Sequence, residues 1–441
     1  MKKLFFVFSV LTTIALSSMT AFAIDGDGTE ESPFLITNQA ELELVSDFPN
    51  YHFKLANNIR LEGIWIPLCT QISSGYFSGV FDGAGYTISN LTTADTEGGL
   101  FKYNSGTIKD LKVILSANGV EASKENIGII SGKNNGEISN CLARGNIINT
   151  GSYTGGITGY NTGTISKCRY EGVVTNNGGM SGGITAYNGK TISNCAVAGD
   201  INSSTIAGGI AGTNYVADIS NSYFIGSVNG NEKSVGIAQN SGFKNYQSYG
   251  SNWVNPQYHW VYYEGNITNC YAAPTFSSNE SIYAISAYSE FGNTTGCYYD
   301  KTVSGLTSTN CGTPKSTAAM KMIQTYQANW NFDTVWGIDK NINDGYPYLL
   351  WESESTDSQI TFDTATQTAT AYLAESGTYT VIFADYNGNT FVKTDIQPLT
   401  LKRGYNRIPT TLRLTNGDKV FLWNGLTTLA PICEAAIVSS K

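Results

Sequence analysis

The chain has 441 residues and a formal net charge of −9, and 14% of its residues are charged against 41% that are hydrophobic. Folded proteins carry roughly 25% charged residues, but this apolar content is too high for a disordered chain. The acidic balance without a Lys/Arg cluster argues against a nucleic-acid partner, and the two histidines, His52 and His259, have no zinc-ligand spacing. We therefore expect a Gly- and Tyr-rich all-β protein with no metal or other cofactor.

The N-terminus has the layout of a secretory signal. Lys2 and Lys3 precede an apolar run at 4–16, and Ala21 and Ala23 place small residues before a cleavage point. Residues 1–23 are therefore predicted to be a signal peptide. No later stretch reaches the roughly 18 apolar residues of a membrane helix, so no transmembrane segment is expected. The mature chain is predicted to be extracellular, secreted or held at a bacterial cell surface.

A motif of the form Ile-x-x-Cys, with variations at its last position, recurs along the chain. It begins at Ile88, Ile108, Ile138, Ile165, Ile192, Ile219 and Ile267. A 27-residue period also separates Gly145, Gly172, Gly199 and Gly226. Short β-branched runs at a fixed period indicate a solenoid whose units bury their apolar sides by stacking. The repeat predicts a parallel β-helix with coils of about 27 residues, right-handed because parallel crossover connections almost always are.

Two columns of residues follow from this alignment. The first is expected to form an interior or corner ladder with amides bonded between coils, and it contains Asn90, Asn140, Asn194, Asn221 and Asn269. The second contains Cys141, Cys168, Cys195, Cys270 and Cys297, with Leu91, Leu111 and Ser222 in the same slot. Such a slot selects a compact buried side chain, and the ~4.8 Å between parallel strands fits a disulfide poorly. Free buried thiols are therefore predicted, while Cys311 and Cys433 lie off the column and stay unassigned.

The repeat resembles that of the GLUG-motif family of secreted and surface proteins of bacteria. The resemblance extends to the opening Gly26-Asp-Gly-Thr29 and Phe81-Asp-Gly-Ala-Gly85, and to the closing Gly345-Tyr-Pro-Tyr-Leu349. It spans residues 25 to 350 and implies a β-helix. It implies no particular activity, because the motif accompanies adhesins, accessory regions of enzymes and uncharacterised surface proteins. The metallopeptidase found beside it in some proteins needs a His-rich zinc helix, which this sequence lacks.

The remaining segments complete the predicted domain order. Asn38 and Glu41 are typical of a capped helix closing the first coil, and 316–327 is predicted to be a helix closing the last one. The β-helix is thus expected at 24–350, followed by a polar linker at 351–358. Residues 359–441 alternate β-forming runs and turns, which predicts a small antiparallel β-sandwich, interpreted as immunoglobulin-like. Its segment 419–431 is similar to a C-terminal module of secreted proteins of anaerobic Firmicutes.

The repeat does not build an evident catalytic site. Arg144 and Glu171 fall one coil apart, which indicates an exposed ion pair of small energetic weight. The column that holds Arg169 contains no carboxylate, and Asp82 is interpreted as a turn residue more readily than as a catalytic acid. A polysaccharide-active lyase or hydrolase is therefore the alternative hypothesis and not the leading one, and no catalytic residue is assigned.

The candidate binding site lies in an insertion. Ser222 and Cys270 are 48 residues apart where the period gives 27, so 21 residues are inserted. The candidate ligand-binding residues there are Tyr246, Tyr249, Trp253, Tyr258, Trp260, Tyr262 and Tyr263. Aromatic rings on such a loop can stack on sugars, or they can fold back and cover the coil as a local core.

Three functions follow from these alternatives. The leading hypothesis is a non-catalytic, adhesin-like protein that binds a glycan or a surface protein. The others are the polysaccharide-active enzyme and a structural spacer of the cell envelope. The sequence indicates no oligomeric state.

Overall fold

The structure is a computed structural model that describes most of the chain beyond residue 23. The described ranges are 24–70, 76–93, 95–249, 257–277, 281–287, 292–309, 311–340, 342–353, 359–364, 367–373, 377–388, 390–401, 404–424, 431–432 and 435–438. The predicted signal peptide, Trp253 and Cys433 lie outside these ranges.

The chain from residue 34 to residue 315 winds into a parallel β-helix, as the repeat predicts. Strands of successive coils stack into four sheets, here called I to IV. Sheet I contains Phe34–Ile36, His52–Leu55, Val80–Asp82, Thr107–Lys109, Glu137–Ser139, Thr164–Ser166, Thr191–Ser193, Asp218–Ser220, Gly265–Thr268 and Gly292–Thr295. Sheet II contains Ile59–Arg60, Thr87–Leu91, Lys112–Leu115, Val120–Ala122, Leu142–Arg144, Ile147–Asn149, Arg169–Asn176, Ala196–Ser203, Tyr223–Gly230, Tyr271–Thr275, Tyr298–Asp300 and Thr313–Lys315.

The other two sheets close each coil. Sheet III contains Asn126–Ile127, Tyr153–Gly155, Met180–Gly182, Ile206–Gly208, Lys233–Val235 and Ile282–Tyr283. Sheet IV contains Phe101–Asn104, Ser131–Asn134, Thr158–Asn161, Thr185–Asn188, Ala211–Tyr215 and Ala238–Ser241. Parallel pairing in register places equivalent residues of successive coils in columns along the solenoid axis.

The buried Ile column of sheet I differs from the sequence alignment at one end. Its members are Ile108, Ile138, Ile165, Ile192, Ile219 and Ile267. The assignment of Ile88 to this column is wrong, because Phe81 pairs with Ile108 while Ile88 pairs with Val113 in sheet II. Phe81 precedes Ile108 by 27 residues, which is the period of the repeat, whereas Ile88 precedes it by 20. Leu91 likewise pairs with Leu115 in sheet II and lies outside the cysteine slot.

Four of the five predicted Asn residues lie at the corner between sheets I and II, whereas Asn90 lies within the sheet II strand Thr87–Leu91. Asn140, Asn194, Asn221 and Asn269 all have left-handed backbones with φ between 46° and 54°. Asn tolerates this conformation better than other non-Gly residues, so backbone geometry selects the column. The Gly column from Gly145 to Gly226 also has positive φ, between 134° and 158°.

The amide ladder forms in a different column, in sheet IV. Its members, all buried, are Asn104, Asn134, Asn161, Asn188, Asn214 and Asn240. The Nδ2 of each member except the last donates to the Oδ1 of the next coil at 2.7–2.8 Å. Asn240 Nδ2 donates to the Gly265 carbonyl instead. The expectation that the corner Asn amides carry this ladder is therefore wrong, although Asn140 does bond to Asp110 of the preceding coil. At the corner, Asn is selected by the left-handed backbone. In sheet IV, the buried Asn side chains of adjacent strands lie in register, so their amides can bond to one another.

The cysteine column holds free thiols, as predicted. Its five cysteines are unpaired and at most 3% exposed, and Cys311 is also free but half-buried. Each Sγ donates to the carbonyl two residues earlier at 3.2–3.4 Å. Ser222 Oγ makes the equivalent bond to Ser220 at 2.8 Å, so the slot favours a small donor. Burial raises the pKa of the Cys168 thiol well above its usual value and keeps it protonated.

The first coil is capped by the expected helix, and the last coil is followed by helices shorter than the predicted one. Helix α1, Gln39–Glu43, begins after Asn38, whose Oδ1 accepts from the Glu41 N–H at 3.1 Å. The 3₁₀ helix Leu44–Ser46 follows it. Helix α2, Lys301–Ser304, follows the strand Tyr298–Asp300.

The helix predicted at 316–327 is wrong in length. Helix α3 spans only Thr317–Met320, and the 3₁₀ helix Ile323–Thr325 follows. Thr325 Oγ1 donates to the Ala319 carbonyl at 2.6 Å, and the Tyr326 hydroxyl donates to the Met320 carbonyl at 2.7 Å. These side chains occupy carbonyls that a continuing helix would need for its own N–H groups.

Residues 316–353, here called the strap, cover the outer side of sheet II. They include the paired strands Trp336–Gly337 and Tyr348–Leu349 and the 3₁₀ helices Asn343–Gly345 and Leu350–Ser353. A second apolar core forms beneath the strap from Ala196, Tyr223, Tyr271, Tyr298, Met320, Tyr326, Trp330, Trp336, Tyr346 and Leu349. Trp351 and Glu352, two residues of the predicted linker, contact the solenoid. The domain boundary itself stays a prediction, since 354–358 lie outside the described residues.

The C-terminal residues form two antiparallel sheets around their own core, which confirms the predicted antiparallel sheets. One sheet contains Gln359–Asp363, Thr368–Leu373 and Gly404–Pro409, and the other contains Thr390–Leu401, Gly377–Asn387, Lys419–Trp423 and Ala436–Ile437. Val381, Phe383, Val420 and Leu422 are fully buried between them. The immunoglobulin-like character stays a prediction.

Candidate functional site

The insertion after sheet IV forms a β-hairpin of strands Phe243–Tyr249 and Gln257–Tyr263. Seven residue pairs join them, from Phe243 opposite Tyr263 to Tyr249 opposite Gln257. Within the described residues, the hairpin sheet contains no third strand.

Strand alternation sorts the predicted site residues between these two faces. The positions of Tyr246, Tyr258, Trp260 and Tyr262 share one face, here called the even face, in the pairs Tyr246–Trp260, Ser248–Tyr258 and Lys244–Tyr262. Tyr249 and Tyr263 occupy positions on the opposite face, and Trp253 lies outside the described residues. The backbone thus brings four of the seven predicted residues to one face.

The base of the hairpin is fixed to the solenoid by the face opposite the even face. The Phe243 ring lies 4.6 Å from that of Tyr263 and 6.0 Å from that of Tyr215, with interplanar angles of 14° and 17°. On the even face, Tyr262 is 57% exposed. At its base, one face of the hairpin contacts the coils through Phe243, while Tyr262 on the other face is exposed to solvent. Ligand binding by these residues stays a prediction.

Tyr215 belongs to an aromatic ladder that sequence reasoning missed. Tyr103, Lys133, Tyr160 and Tyr187 pair in register in consecutive coils of sheet IV. The rings of Tyr160 and Tyr187 are 4.4 Å apart and nearly parallel, and Lys133 Nζ lies 5.0 Å from the Tyr160 centroid. The signal was available, because each of these four residues directly precedes an Asn of the buried amide ladder.

The ladder supports the hairpin and is not itself a stacking platform for sugars. Rings that stack face to face cover each other's faces and present only their edges and hydroxyls to solvent. Burial, with the neighbouring Tyr160, raises the pKa of Tyr187 to about 12, so its phenol is neutral at physiological pH.

A charged cluster joins the strap to the solenoid. Glu352 forms an ion pair with Arg169 and accepts a hydrogen bond from the Tyr223 hydroxyl at 2.9 Å. Arg169 Nε and Arg144 Nε donate to Glu171 at 2.6 and 2.8 Å. The expected Arg144–Glu171 pair is confirmed, while the carboxylate missing from the Arg169 column comes from 183 residues later in the chain.

The charges in this cluster neutralise one another. Burial opposes ionisation of Glu171, but the Arg169 guanidinium beside it holds the pKa of that carboxyl below its usual value. Two guanidinium groups thus face two carboxylates, and the cluster acts as a clamp on the strap. Elsewhere in the described residues, no group of three or more His, Cys, Asp or Glu side chains could hold a metal ion.

Comparisons with known proteins give limited matches. No protein-family model matches the chain. A protein of Evansella cellulosilytica, provisionally described as a Gly-rich membrane protein, is 28% identical over 151 residues, covering 31% of this chain and 17% of that protein's length. A crystal structure of a Bacteroides ovatus protein, provisionally described as an immunoglobulin A1 protease, is 22% identical with a TM-score of 0.46, over 74% of this chain and 94% of the other. The resemblances to GLUG-motif proteins and to the Firmicutes module stay predictions.

Proposed function

We propose that this chain is a non-catalytic, adhesin-like protein of the bacterial cell exterior that binds a glycan or another surface molecule on the even face of its hairpin. The observation that carries the proposal is the exposure of Tyr262 on that face, while Phe243 and Tyr263 fix the opposite face to the solenoid. The positions of Tyr246, Tyr258 and Trp260 lie on the same face as Tyr262.

The physical chemistry of such a surface suits sugar recognition. Tyr and Trp combine a flat apolar face with a polar tip, and their two side-chain torsions lose little entropy on binding. An isolated two-stranded hairpin is marginally stable in water, so the ladder contact at Phe243 supplies the support that holds this face in place. A preorganised aromatic face binds more tightly than a mobile one, because less ordering is required at the moment of contact.

The extracellular location is part of the proposal and is supported by the signal-like N-terminus. Among the described residues, no helix has the length and apolarity to cross a membrane.

A structural spacer is the second candidate, favoured by the mutual covering of the Tyr160 and Tyr187 faces, which stiffens the rod without offering a binding surface. The polysaccharide-active enzyme has less support, because Arg144 and Arg169 are both engaged by carboxylates.

The test is a glycan-array measurement with the full mature chain, Tyr262→Ala, and the control Tyr86→Ala, which removes an exposed ring from the solenoid. We expect the wild type and Y86A to bind the same glycans and Y262A to bind about fivefold more weakly, because stacking on one aromatic ring contributes about 1 kcal/mol. Equal binding by Y262A would contradict the proposed face. Absence of binding by the wild type would favour the spacer.

A further inference from the structure

The corner column between sheets I and II contains a local departure from the repeat. Four consecutive coils place Asp110, Asn140, Lys167 and Asn194 at this corner, all with left-handed backbones of φ 50° to 54°. The repeat otherwise uses Asn at this position, as at Asn221 and Asn269. Two substitutions therefore flank Asn140 on its two sides, one acidic and one basic.

Lys167 is the less expected of the two substitutions. A Lys residue tolerates the left-handed conformation less well than Asn, so its presence lowers the stability of the coil. Its side chain is exposed, and it forms no ion pair among the described residues. The nearest cations and anions of the clamp, Arg169, Glu171 and Glu352, are engaged with one another. This strained position motivates a search for a ligand at the corner, although Ala84 and Val216 also have left-handed backbones.

The strap converts this corner into an open pocket. Its walls are Asp110, Ser139, Asn140, Ser166, Lys167 and Trp351. Trp351 Nε1 donates to the Asn194 carbonyl at 2.8 Å, which fixes the indole beside Lys167. Asn140 Nδ2 donates to Asp110 Oδ1 at 2.6 Å, which fixes the amide, and the second oxygen of Asp110 has no hydrogen-bond partner among the described residues.

We propose that this corner pocket binds an acidic sugar unit of the uronic-acid type. Lys167 pairs with the sugar carboxylate, Asp110 and Asn140 bond to ring hydroxyls, and the indole of Trp351 packs against the apolar face of the ring. The Ser139 and Ser166 hydroxyls lie between these groups and serve as donors or acceptors. Binding of a metal cation is disfavoured because Lys167 repels it. Lys167 is the one cationic side chain among the pocket walls, which suits a carboxylate better than a phosphate.

This site is separate from the hairpin and does not depend on the function proposed for the hairpin. It lies at the edge of sheets I and II, whereas the hairpin follows sheet IV. The two sites can therefore be tested independently, and failure of one leaves the other intact.

The experiment measures binding of sodium glucuronate to the full mature chain by calorimetry, with glucose as the neutral comparison. Lys167→Asn and Asp110→Asn restore the residue that the repeat uses, so both variants are expected to fold with unchanged or higher thermal stability. Lys190→Asn replaces another exposed lysine of the solenoid and is the matched control.

The wild type and K190N are expected to bind glucuronate about tenfold more tightly than glucose, the ratio that one charge-assisted hydrogen bond supplies. K167N should lose this preference, and D110N should weaken the binding of both sugars by a similar factor. The proposal is overturned if the wild type shows no saturable binding of glucuronate, or if K167N keeps the preference. Trp351→Phe keeps a ring but loses the indole N–H, and it should weaken the binding of both sugars by a similar factor. Unchanged binding in this variant would show that the indole is not part of the site.

Discussion

The ring of Phe243, the first residue of the inserted hairpin, stacks on the ring of Tyr215 at a centroid distance of 6.0 Å and an angle of 17°. Tyr215 in turn lies 6.2 Å from Tyr187, so the hairpin continues a ladder that runs along sheet IV. A segment outside the repeat is thereby held by a feature of the repeat.

Replacing Tyr215 by Ala should release the hairpin without unfolding the solenoid. The change removes the ring against which Phe243 packs, and such aromatic pairs contribute about 1 kcal/mol beyond their buried area. We expect limited proteolysis to cut within residues 243–263 several-fold faster than in the wild type, while the circular dichroism spectrum is unchanged. Tyr86→Ala is the control, and an equal cleavage rate in all three proteins would show that the ladder does not hold the hairpin.

Replacing Asn161 by Leu should destabilise the solenoid strongly. In the wild type Asn161 accepts from Asn134 Nδ2 and donates to Asn188 Oδ1, both in the buried interior. Leu has a similar volume but removes both amide–amide bonds, and it leaves Asn134 Nδ2 and Asn188 Oδ1 with only their longer bonds of 3.3 and 3.5 Å. We expect this to cost about 2–4 kcal/mol in unfolding free energy. Urea denaturation measures this loss, with the exposed Asn177→Ala as control. A loss below about 1 kcal/mol would indicate that the neighbouring amides find other partners.

The cysteines should differ sharply in reactivity. Cys141, Cys168, Cys195, Cys270 and Cys297 are buried in the interior, whereas Cys311 is half-buried. In a chain that carries Cys433→Ser, a thiol reagent applied to the native protein should therefore modify Cys311 first, and adding Cys311→Ser should remove this fast phase. The five column thiols should react only after denaturation, and rapid modification of several of them in the native state would contradict the packing described above.

Stability should fall at alkaline pH because of the same column. Burial raises the pKa of the Cys141, Cys168 and Cys270 thiols above the usual value of 9.0. A thiol whose pKa is raised in the folded state adds stability below pH 9.0, and that stability is lost progressively as the pH rises toward the folded-state pKa. Urea midpoints measured between pH 8 and pH 10 should fall with pH, and Cys168→Ser, which keeps the hydrogen bond that Ser222 illustrates, should make the fall shallower. A slope identical to that of the wild type would exclude Cys168 as a contributor.

The sequence by itself determined the solenoid. Its 27-residue spacing of Ile, Cys and Gly requires coils of one length, and parallel strands in register then place like residues above each other, which is why the buried Ile and thiol columns could be predicted. Even the error at Ile88 follows this rule, since its spacing of 20 residues to Ile108 departs from the period while the 27 residues from Phe81 match it. The helix cap at Asn38 could also be predicted from the sequence, because a capping side chain bonds to a backbone N–H within the first turn of its own helix.

The tertiary structure alone decided what the non-repeating segments contact. Glu352 reaches Arg169 from 183 residues away, and Trp351 reaches Asn194 from 157 residues away, because the strap folds back over sheet II to bury its aromatic residues. No periodicity links these pairs, so no pattern in the sequence could predict them. The same holds for the hairpin, where composition predicted the aromatic residues but only strand register separated the face that carries Tyr262 from the face that packs on the ladder. Local and periodic rules thus determine the scaffold, whereas the candidate sites depend on contacts between segments distant in the chain.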